Sequence, residues 1–304
     1  MNILEEKGIS LWSPEKRLKT HSDPRYKQVN DIWMKNGFNK RNYMGYCIDL
    51  IKSCNPSTLA DWEKFYLKSG EDAYQKKQLV LQQMEKGKIS QNDGKELICH
   101  INSNSGKCYS DMVSLAETFQ DKLQKNGIER SLEECFNYIY VKAIEETWIG
   151  YLREKAVEES LKTVCESLGC YLKESDTILD IKYGVDYEIY KKDTDELMCG
   201  IQVKGFKYFL ATLNPQKAEA LQHAILISKM SHKHYEQDFG AKVAFVYVHN
   251  DGTCDRRSIR KVQRELGYVP RLAQQIKEVS EDVASYNNLH NVNQREIVRN
   301  DMCR

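Results

Sequence analysis

The stretch GVDYEIYKKDTDELMCGIQVKG, residues Gly184–Gly205, decides the fold expected for this 304-residue chain. Two short apolar segments, DYEIY and CGIQVK, flank a turn-forming run of Lys, Asp and Thr, which is the pattern of two strands joined by a turn. Polar groups stand inside both strands: Asp186 in the first, and Gln202 and Lys204 in the second. Strands that only build a core have no use for such groups, so the stretch predicts a hairpin that carries a chemical site.

The spacing within the second strand separates its polar residues from its apolar ones. Alternate residues of a strand share a face, so Gln202 and Lys204 point one way while Ile201 and Val203 point into the core. If the two strands pair, Asp186 lies beside the polar pair. A carboxylate, an amide oxygen and an ammonium group then converge on one spot. The remaining acids of the stretch are assigned to the turn: Asp193, Asp195 and Glu196.

This combination of groups suits the hydrolysis of a phosphodiester. Asp and amide oxygens are ligands for a hard cation such as Mg²⁺, which lowers the pKa of a bound water. Lys204 could orient that water or stabilise negative charge that develops on the phosphate. Two plainer interpretations remain open: Asp186 simply ends a strand, and Gln202 and Lys204 form the solvated face of an edge strand.

Asp186, Gln202 and Lys204 resemble the signature of the PD-(D/E)xK nucleases, which is an Asp, a spacer, and acid-x-Lys on the next strand. The sequence departs from that pattern twice: Val185 stands where many members have Pro, and Gln202 stands where an acid is usual. The second departure leaves the site one charge weaker. The resemblance implies a mixed α/β fold, with a restriction-endonuclease-like core sheet flanked by helices and an N-terminal helical region.

That family also has an acid on the helix before the first core strand. Here the stretch EETWIGYLREKAVEESL, Glu145–Leu161, supplies the helix, and Glu154 lies at the margin of its expected apolar face. Four residues are predicted to form this face: Ile149, Leu152, Ala156 and Leu161. We therefore expect Glu154 to lean toward Asp186 and to serve as a catalytic metal ligand with Asp186 and Gln202. Glu145 and Glu158 are weaker alternatives, and a solvated surface charge is a third.

Three stretches resemble the MjaI-type restriction endonucleases more narrowly: ADWEKFYLKSGEDAY, TWIGYLREKAVEESL, and GVDYEI followed by IQVKGFKY. This resemblance runs from Tyr43 to Tyr208. It implies a type II site-specific deoxyribonuclease that uses Mg²⁺, cuts double-stranded DNA, acts as a homodimer and is linked to a cognate DNA methyltransferase. The alternatives are a repair or transposon-end nuclease of the same fold, a non-catalytic DNA-binding protein, and an unrelated helical scaffold with an accidental motif.

The densest basic stretch is NDGTCDRRSIRKVQREL, residues 250–266. Helical spacing is expected to align most of its cations along one face, where they could contact phosphates or the major groove. The predicted DNA-binding residues are Arg256, Arg257, Arg260, Lys261 and Arg264, with Lys207 as a phosphate contact or a surface charge. A solvated helix is the alternative. His232 and His234 lie in a smaller basic cluster; they are predicted to be surface decoration, with a general-base His as the alternative.

Composition limits the class of protein. Net charge is +1, so a protein that coats nucleic acid nonspecifically is excluded and any DNA contact must come from a local patch. Ten scattered Cys, a charged start and the absence of an 18-residue apolar run predict a cytoplasmic protein that does not enter membranes.

The pattern along the chain predicts two domains. Residues 1–130 read as an irregular arm over the first forty residues and then a helical region, in which Ser57 or Thr58 caps a helix containing Trp62 and Tyr66. Residues 131–304 read as a nuclease core with a C-terminal basic helical segment. They begin with a long helix and include KVAFVYVHN, Lys242–Asn250, which predicts a buried central strand.

Overall fold

A computed structural model of the chain describes residues 3–10, 23–45, 47–213 and 219–267. The predicted arm therefore has residues 1–2 and 11–22 outside the described part, and the predicted core domain has residues 214–218 and 268–304 outside it. Within the described ranges, no helix has the length and apolar character that crossing a lipid bilayer requires.

The chain divides into two compact units, Met1–Leu152 and Arg153–Arg304. The predicted domain boundary after residue 130 lies earlier, just before a helix that begins at Leu132. Compactness does not decide where an independently folding domain begins, so that boundary stays a prediction.

Helices make up the regular structure of the first unit in its described part. They are α1 (Ile3–Glu6), α2 (Tyr26–Lys35), α3 (Arg41–Met44), α4 (Cys47–Cys54), α5 (Leu59–Glu85), α6 (Gln91–Ser103), α7 (Tyr109–Lys125) and α8 (Leu132–Tyr140). A π-helical segment (Val141–Glu146) joins α8 to α9 (Thr147–Ser167), which continues into the second unit. The predicted long helix is thus confirmed, with a widened turn inside it.

Local capping fixes where these helices begin. The Thr58 hydroxyl accepts a hydrogen bond from the Asp61 N–H while the Asp61 carboxylate accepts one from the Thr58 N–H, which satisfies two helix-end donors of α5. The predicted cap is confirmed at Thr58. Trp62 and Tyr66 of α5 are fully buried in the core of this unit.

The prediction of an irregular arm is wrong for residues 26–35, which form α2. Val29, Ile32 and Trp33 stand three and four residues apart and bury one face of this helix. Trp33 is packed against the rings of Phe38 and Phe119 in the core. The segment looked irregular because its polar residues mask this stripe of apolar positions.

The second unit has a mixed sheet enclosed by helices. After α9 its described elements are β1 (Cys170–Glu174), α10 (Thr177–Tyr183), β2 (Tyr187–Lys191), β3 (Leu197–Gly205), α11 (Phe206–Leu213), α12 (Glu219–Phe239), β4 (Lys242–Val248) and α13 (Arg256–Glu265). The four described strands lie in the order β1-β2-β3-β4, antiparallel except for the parallel pair β3 and β4. A helix, three antiparallel strands, helices and a parallel strand give the mixed α/β, restriction-endonuclease-like fold that the sequence predicts.

The two faces of this sheet pack against different helices. On one face, Ile201 and Val203 of β3 join a core with Val157 and Leu161 of α9. On the other face, Gly200 lies against the Tyr235 ring of α12. The alternation along β3 therefore directs its polar residues toward α12.

The strand predicted from KVAFVYVHN is confirmed, but its central position is wrong. Among the described strands β4 pairs only with β3 and forms the edge of the sheet. Its burial alternates: Ala244, Val246 and Val248 are buried, whereas Phe245 and Tyr247 between them are half-buried. Those two aromatic rings made the run look uniformly apolar, although only one of its faces belongs to the core.

The predicted apolar face of α9 is also partly wrong. The buried residues are Val157, Leu161 and Cys165, whereas the Leu152 side chain is 46% exposed. Leu152 and Leu161 are nine residues apart, about two and a half helical turns, so they lie on opposite sides of the helix.

This difference gives a stability test. Leu161→Ala should lower the free energy of unfolding by about 2–5 kcal/mol, because it leaves a cavity in a closed core. Leu152→Ala is the matched control and should change it by less than about 0.5 kcal/mol, since the side chain is largely solvated. Chemical denaturation of the two variants checks the assignment, and equal losses would contradict it.

Candidate active site

The hairpin places Asp186 beside β3. Helix α10 ends at Gly184, which adopts a left-handed conformation (φ 67°), and this turns the chain into β2. Tyr187 of β2 pairs with Ile201 of β3, and the Asp186 N–H donates to the Ile201 carbonyl at 2.8 Å. Asp186 therefore stands at the level of Gln202, as the sequence predicts for a paired hairpin.

The Asp186 carboxylate is half-buried and held by the backbone of β3. The Val203 N–H donates to its Oδ2 at 2.6 Å. Burial raises the pKa of Asp186 above its usual range, and the Glu154 charge raises it further. The Lys204 charge and the Val203 hydrogen bond oppose this rise. A carboxyl group whose ionised form is disfavoured in this way is suited to receive a cation.

Glu154 reaches this region from α9. The side chain is half-buried, and the Tyr187 hydroxyl donates to the Glu154 main-chain carbonyl at 3.1 Å, which ties the helix to β2. The Glu154 charge acts on both Asp186 and Tyr187 and raises the pKa of each. The structure thus brings the two carboxylates near each other, while the role of Glu154 as a metal ligand stays a prediction.

The alternative acids are placed differently. Glu158 pairs with Lys155 on the same helix at 2.9 Å. Glu145 is buried within the first compact unit. Asp180 of α10, which the sequence analysis did not consider, also raises the pKa of Asp186. Asp180 is thus a second acid, after Glu154, whose charge acts on Asp186.

Gln202 is 5% exposed and points toward α12. Its Oε1 lies 3.0 Å from Nε2 of His232. Its Nε2 lies close above Gly184, where an added Cβ would come within 2.5 Å. The amide is therefore held between a histidine and the glycine that turns the chain toward Asp186. Metal ligation by Gln202 stays a prediction and would have to share an oxygen that already accepts a hydrogen bond.

The prediction that His232 is surface decoration is wrong, since its side chain is 8% exposed. An amide oxygen only accepts hydrogen bonds. His232 is therefore in the tautomer that carries its hydrogen on Nε2, and this N–H donates a hydrogen bond to Gln202 Oε1. Burial, together with the Lys204 and Lys261 charges, lowers the pKa of His232 to about 4, so the ring is neutral at physiological pH. Ile225, His232 and Tyr235 are buried at heptad-like spacing on α12, a pattern that could have revealed this position.

Lys204 follows two residues after Gln202 on the same face of β3. Its side chain is half-buried, and its Nζ lies 5.9 Å from the centroid of the Tyr208 ring. Its charge lowers the pKa of both Asp186 and His232. The predicted grouping of Asp186, Gln202 and Lys204 at one end of the hairpin is therefore present.

Another buried acid, Glu188 of β2, lies in the hairpin and was not among the predicted site residues. The Tyr235 hydroxyl donates to one of its carboxylate oxygens and the Tyr190 hydroxyl to the other, at 2.5 and 2.8 Å. Both oxygens therefore have partners from the protein. Glu188 thus joins β2 to α12, on the face of the sheet that carries Gln202 and Lys204.

The residues predicted to bind DNA differ in position and exposure. Arg257, Lys261 and Arg264 of α13 line a cavity of about 490 Å³. Arg256 is exposed outside that lining and Arg260 is half-buried. Lys207 is exposed on α11. Their contacts with DNA stay predictions.

A sequence model of the MjaI restriction endonuclease family matches residues 27–252, which is more than half of the chain and includes the whole hairpin. The chain belongs to this family. No curated protein and no solved structure matches it. Membership makes the chain a restriction endonuclease, a nuclease that acts on DNA at specific sites.

A divalent metal ion, which restriction endonucleases generally use, fits the carboxylates of this site. Burial and the Glu154 charge disfavour the ionised form of Asp186, and a cation bound there would offset both effects. Among the described residues, no three His, Cys, Asp or Glu side chains are grouped to hold a metal ion. That arrangement is compatible with Mg²⁺, which is usually bound by one or two carboxylates and keeps several waters.

The raised pKa of Asp186 predicts how the metal-free endonuclease responds to pH. The folded protein holds this proton more tightly than the unfolded chain, so the stabilisation is full at low pH and is lost as pH rises through the raised pKa. Asp186→Asn removes the titrating carboxyl group, so the variant does not lose this stability as the pH rises. At pH 8 in a chelator it should melt about 2–4 °C above the wild type, as expected for about 1 kcal/mol.

Thermal denaturation at pH 5 and pH 8 measures this difference, which should shrink at the lower pH. Asp193→Asn, in the exposed turn of the same hairpin, is the control and should leave the melting temperature unchanged. An Asp186→Asn protein that is less stable than the wild type at pH 8 would contradict the stated electrostatics.

The contact between His232 and Gln202 gives a second prediction. His232→Ala leaves a buried amide oxygen without a donor, which should cost about 1–3 kcal/mol of stability. It should also slow DNA cleavage without weakening DNA binding, because the affected amide adjoins the turn that carries Asp186. His232→Gln can still donate a hydrogen bond and should restore part of the rate.

Cleavage rates and DNA dissociation constants, measured separately, check this prediction. His234→Ala is the matched control, since His234 is exposed on the same helix. The positioning role would be wrong if His232→Ala changed only binding, or if His234→Ala slowed cleavage equally.

Proposed function

We propose that this endonuclease is a Mg²⁺-dependent type II enzyme that hydrolyses phosphodiester bonds of double-stranded DNA at a specific site. One observation carries the proposal. The half-buried Asp186 carboxylate is made harder to ionise by Glu154 and is approached by the Lys204 charge at the same end of β3. Strongly perturbed acids beside a cation are more common at catalytic sites than on structural surfaces.

Asp186 and Glu154 would hold the metal ion, with Gln202 as a further predicted ligand. A bound Mg²⁺ supplies polarisation of the phosphate and a water of lowered pKa. Asp186 would be held in place for this task by the Val203 N–H, which donates to its Oδ2. The Gly184 turn would set the position of Asp186 relative to β3.

Lys204 would act on the side of the attacking water. It is half-buried, which strengthens its electrostatic effect on a nearby phosphate relative to that of an exposed Lys. Its ammonium group would orient the water and stabilise negative charge as it builds on the phosphate. His232 would act at one remove, by orienting the Gln202 amide.

The cations of α13 and Lys207 would bind the DNA. Arg257, Lys261 and Arg264 project from one side of a helix that follows the edge strand, next to the candidate active site. Arg256 and Arg260 would add phosphate contacts. The helical first unit would supply further recognition.

The assembly proposed is a homodimer, because two active sites related by a two-fold axis cut both strands of a palindromic site. The enzyme would work in the cytoplasm together with a cognate DNA methyltransferase. That partner would protect host DNA from the nuclease.

The central test is cleavage of phage DNA in Mg²⁺. The wild type should give discrete bands whose ends share one sequence. Asp186→Ala and Lys204→Ala should each reduce cleavage by at least about 100-fold while DNA affinity changes little. Asp193→Ala and Lys192→Ala, in the exposed turn of the same hairpin, are the matched controls and should cut normally.

Two results would overturn the proposal. Normal cleavage by Asp186→Ala or Lys204→Ala would remove these residues from the chemistry. A continuous smear in place of bands would indicate a nuclease that reads structure, such as a repair enzyme.

A further inference from the structure

A cavity of about 490 Å³ lies beside the candidate active site, between α11, β4 and α13. Three aromatic residues line it: Phe209 from α11, and Phe245 and Tyr247 from β4. Three cations from α13 line it as well: Arg257, Lys261 and Arg264. Aromatic rings and cations in one cavity of this size suit a ligand with both an aromatic and an anionic part.

The register of the sheet places this cavity next to the catalytic strand. Phe245 pairs with Gln202 and Tyr247 pairs with Lys204 across the parallel strands β3 and β4. Directly paired residues share a face, and neighbouring strands are about 4.8 Å apart. The cavity wall therefore begins one strand away from Lys204, on the same face of the sheet.

The three rings lie close together on the wall of the cavity, where they form an aromatic platform. Phe245 and Tyr247 are nearly parallel, with centroids 5.9 Å apart and planes 12° apart. The Phe209 ring lies 5.5 Å from Tyr247. All three residues are half-buried, and all three line the cavity. A nucleobase could stack on such a surface, which is worth about 1–3 kcal/mol per base in proteins that bind single strands.

The charges around the platform favour a phosphate. Within the described part of the chain, neither Lys261 nor Arg264 forms an ion pair, and both are exposed. The Arg257 guanidinium lies 4.7 Å from the Phe209 ring centroid, and its Nε is 3.6 Å from the Asp255 carboxylate. Lys261 and Arg264 are thus the cations available to an incoming anion.

Two acids also line the cavity and limit what it accepts. Asp255 caps α13 by accepting the Ser258 N–H at 3.0 Å, so part of its carboxylate is engaged. Glu265 is half-buried at the far end of the helix. An acid there can accept an N–H from a base, but it repels a second phosphate. The balance favours one nucleotide over a run of backbone phosphates.

We propose that this cavity binds a single unpaired nucleotide, with its base on the Phe209, Phe245 and Tyr247 platform and its phosphate on Lys261 and Arg264. In the proposed nuclease this is a nucleotide of the DNA turned out of the duplex beside the cleaved bond, and this assignment rests on the proposed function. A free nucleotide has the same chemistry, and the experiment separates the two sources.

The first arm does not require cleavage. The probe is 2′-deoxyadenosine 5′-monophosphate in a chelator, with inorganic phosphate and deoxyadenosine as separate probes, and binding is followed by NMR line broadening or calorimetry. The nucleotide should bind at least about tenfold more tightly than either fragment, since each fragment uses half of the site. Arg264→Ala and Tyr247→Leu should each weaken it at least about tenfold.

Lys242→Ala is the matched control, because it removes one positive charge from an exposed position at the start of β4 outside the cavity lining. It should leave nucleotide binding unchanged. The proposal is overturned if inorganic phosphate binds as well as the nucleotide, or if Lys242→Ala and Arg264→Ala weaken binding equally. Tyr247→Leu keeps most of the side-chain volume, and its thermal melting curve confirms that the protein is folded.

The second arm identifies the source of the nucleotide. Duplexes that contain the cleaved sequence are bound to the Asp186→Ala protein, with a mismatched pair placed at each position around the cut. A mismatch at one position should tighten binding about tenfold or more, because a mismatched nucleotide leaves the duplex without breaking a base pair. The same mismatch should give no advantage when Tyr247→Leu is added.

An advantage that Tyr247→Leu abolishes assigns the nucleotide to DNA. Equal binding of all duplexes, with nucleotide binding intact, assigns the cavity to a free nucleotide. If the protein does not cut DNA at all, the first arm still decides whether the cavity binds a nucleotide. Failure of the proposed function and failure of this proposal are therefore distinguishable.

Discussion

A slip of one residue between β2 and β3 would turn Gln202 and Lys204 into the core and expose Ile201 and Val203, because side chains alternate along a strand. The pairing of Tyr187 with Ile201 prevents this slip, and the hydrogen bond from Val203 to the Asp186 carboxylate is possible only in this register. Every candidate catalytic group inherits its position from that pairing. The apolar face of β3 is thus as important to the chemistry as its polar face.

The polar face of the sheet is stable because nearly every group on it has a partner. Glu188 receives two tyrosine hydroxyls, and Gln202 receives a histidine. Asp186 differs from them: it accepts the Val203 N–H, but burial and the Glu154 charge both oppose its ionisation. Concentrating the unfavourable electrostatics at one carboxylate is a common property of catalytic sites, where a ligand later relieves the strain.

The hairpin and the grouping of Asp186, Gln202 and Lys204 could be predicted because they depend on local alternation over some twenty residues. The position of His232 could not be predicted in the same way, because its burial depends on how α12 packs on β3, far along the chain. The edge position of β4 depends likewise on sheet order. The prediction that Leu152 is buried failed for a simpler reason. It lies about two and a half helical turns from Leu161, so the two side chains are on opposite sides of α9.

The contact between His232 and Gln202 joins two uncharged groups, since burial keeps the pKa of His232 near 4. Such a contact is not screened by ions, whereas the proposed attraction between α13 and DNA phosphates would weaken as salt rises, because salt cations compete with the protein's cations for the phosphates. An acid at position 202, as in the usual PD-(D/E)xK pattern, would have made the same contact charged. With an amide, ionic strength would change how long DNA stays bound in the proposed complex and would leave the contact that orients Gln202 unchanged.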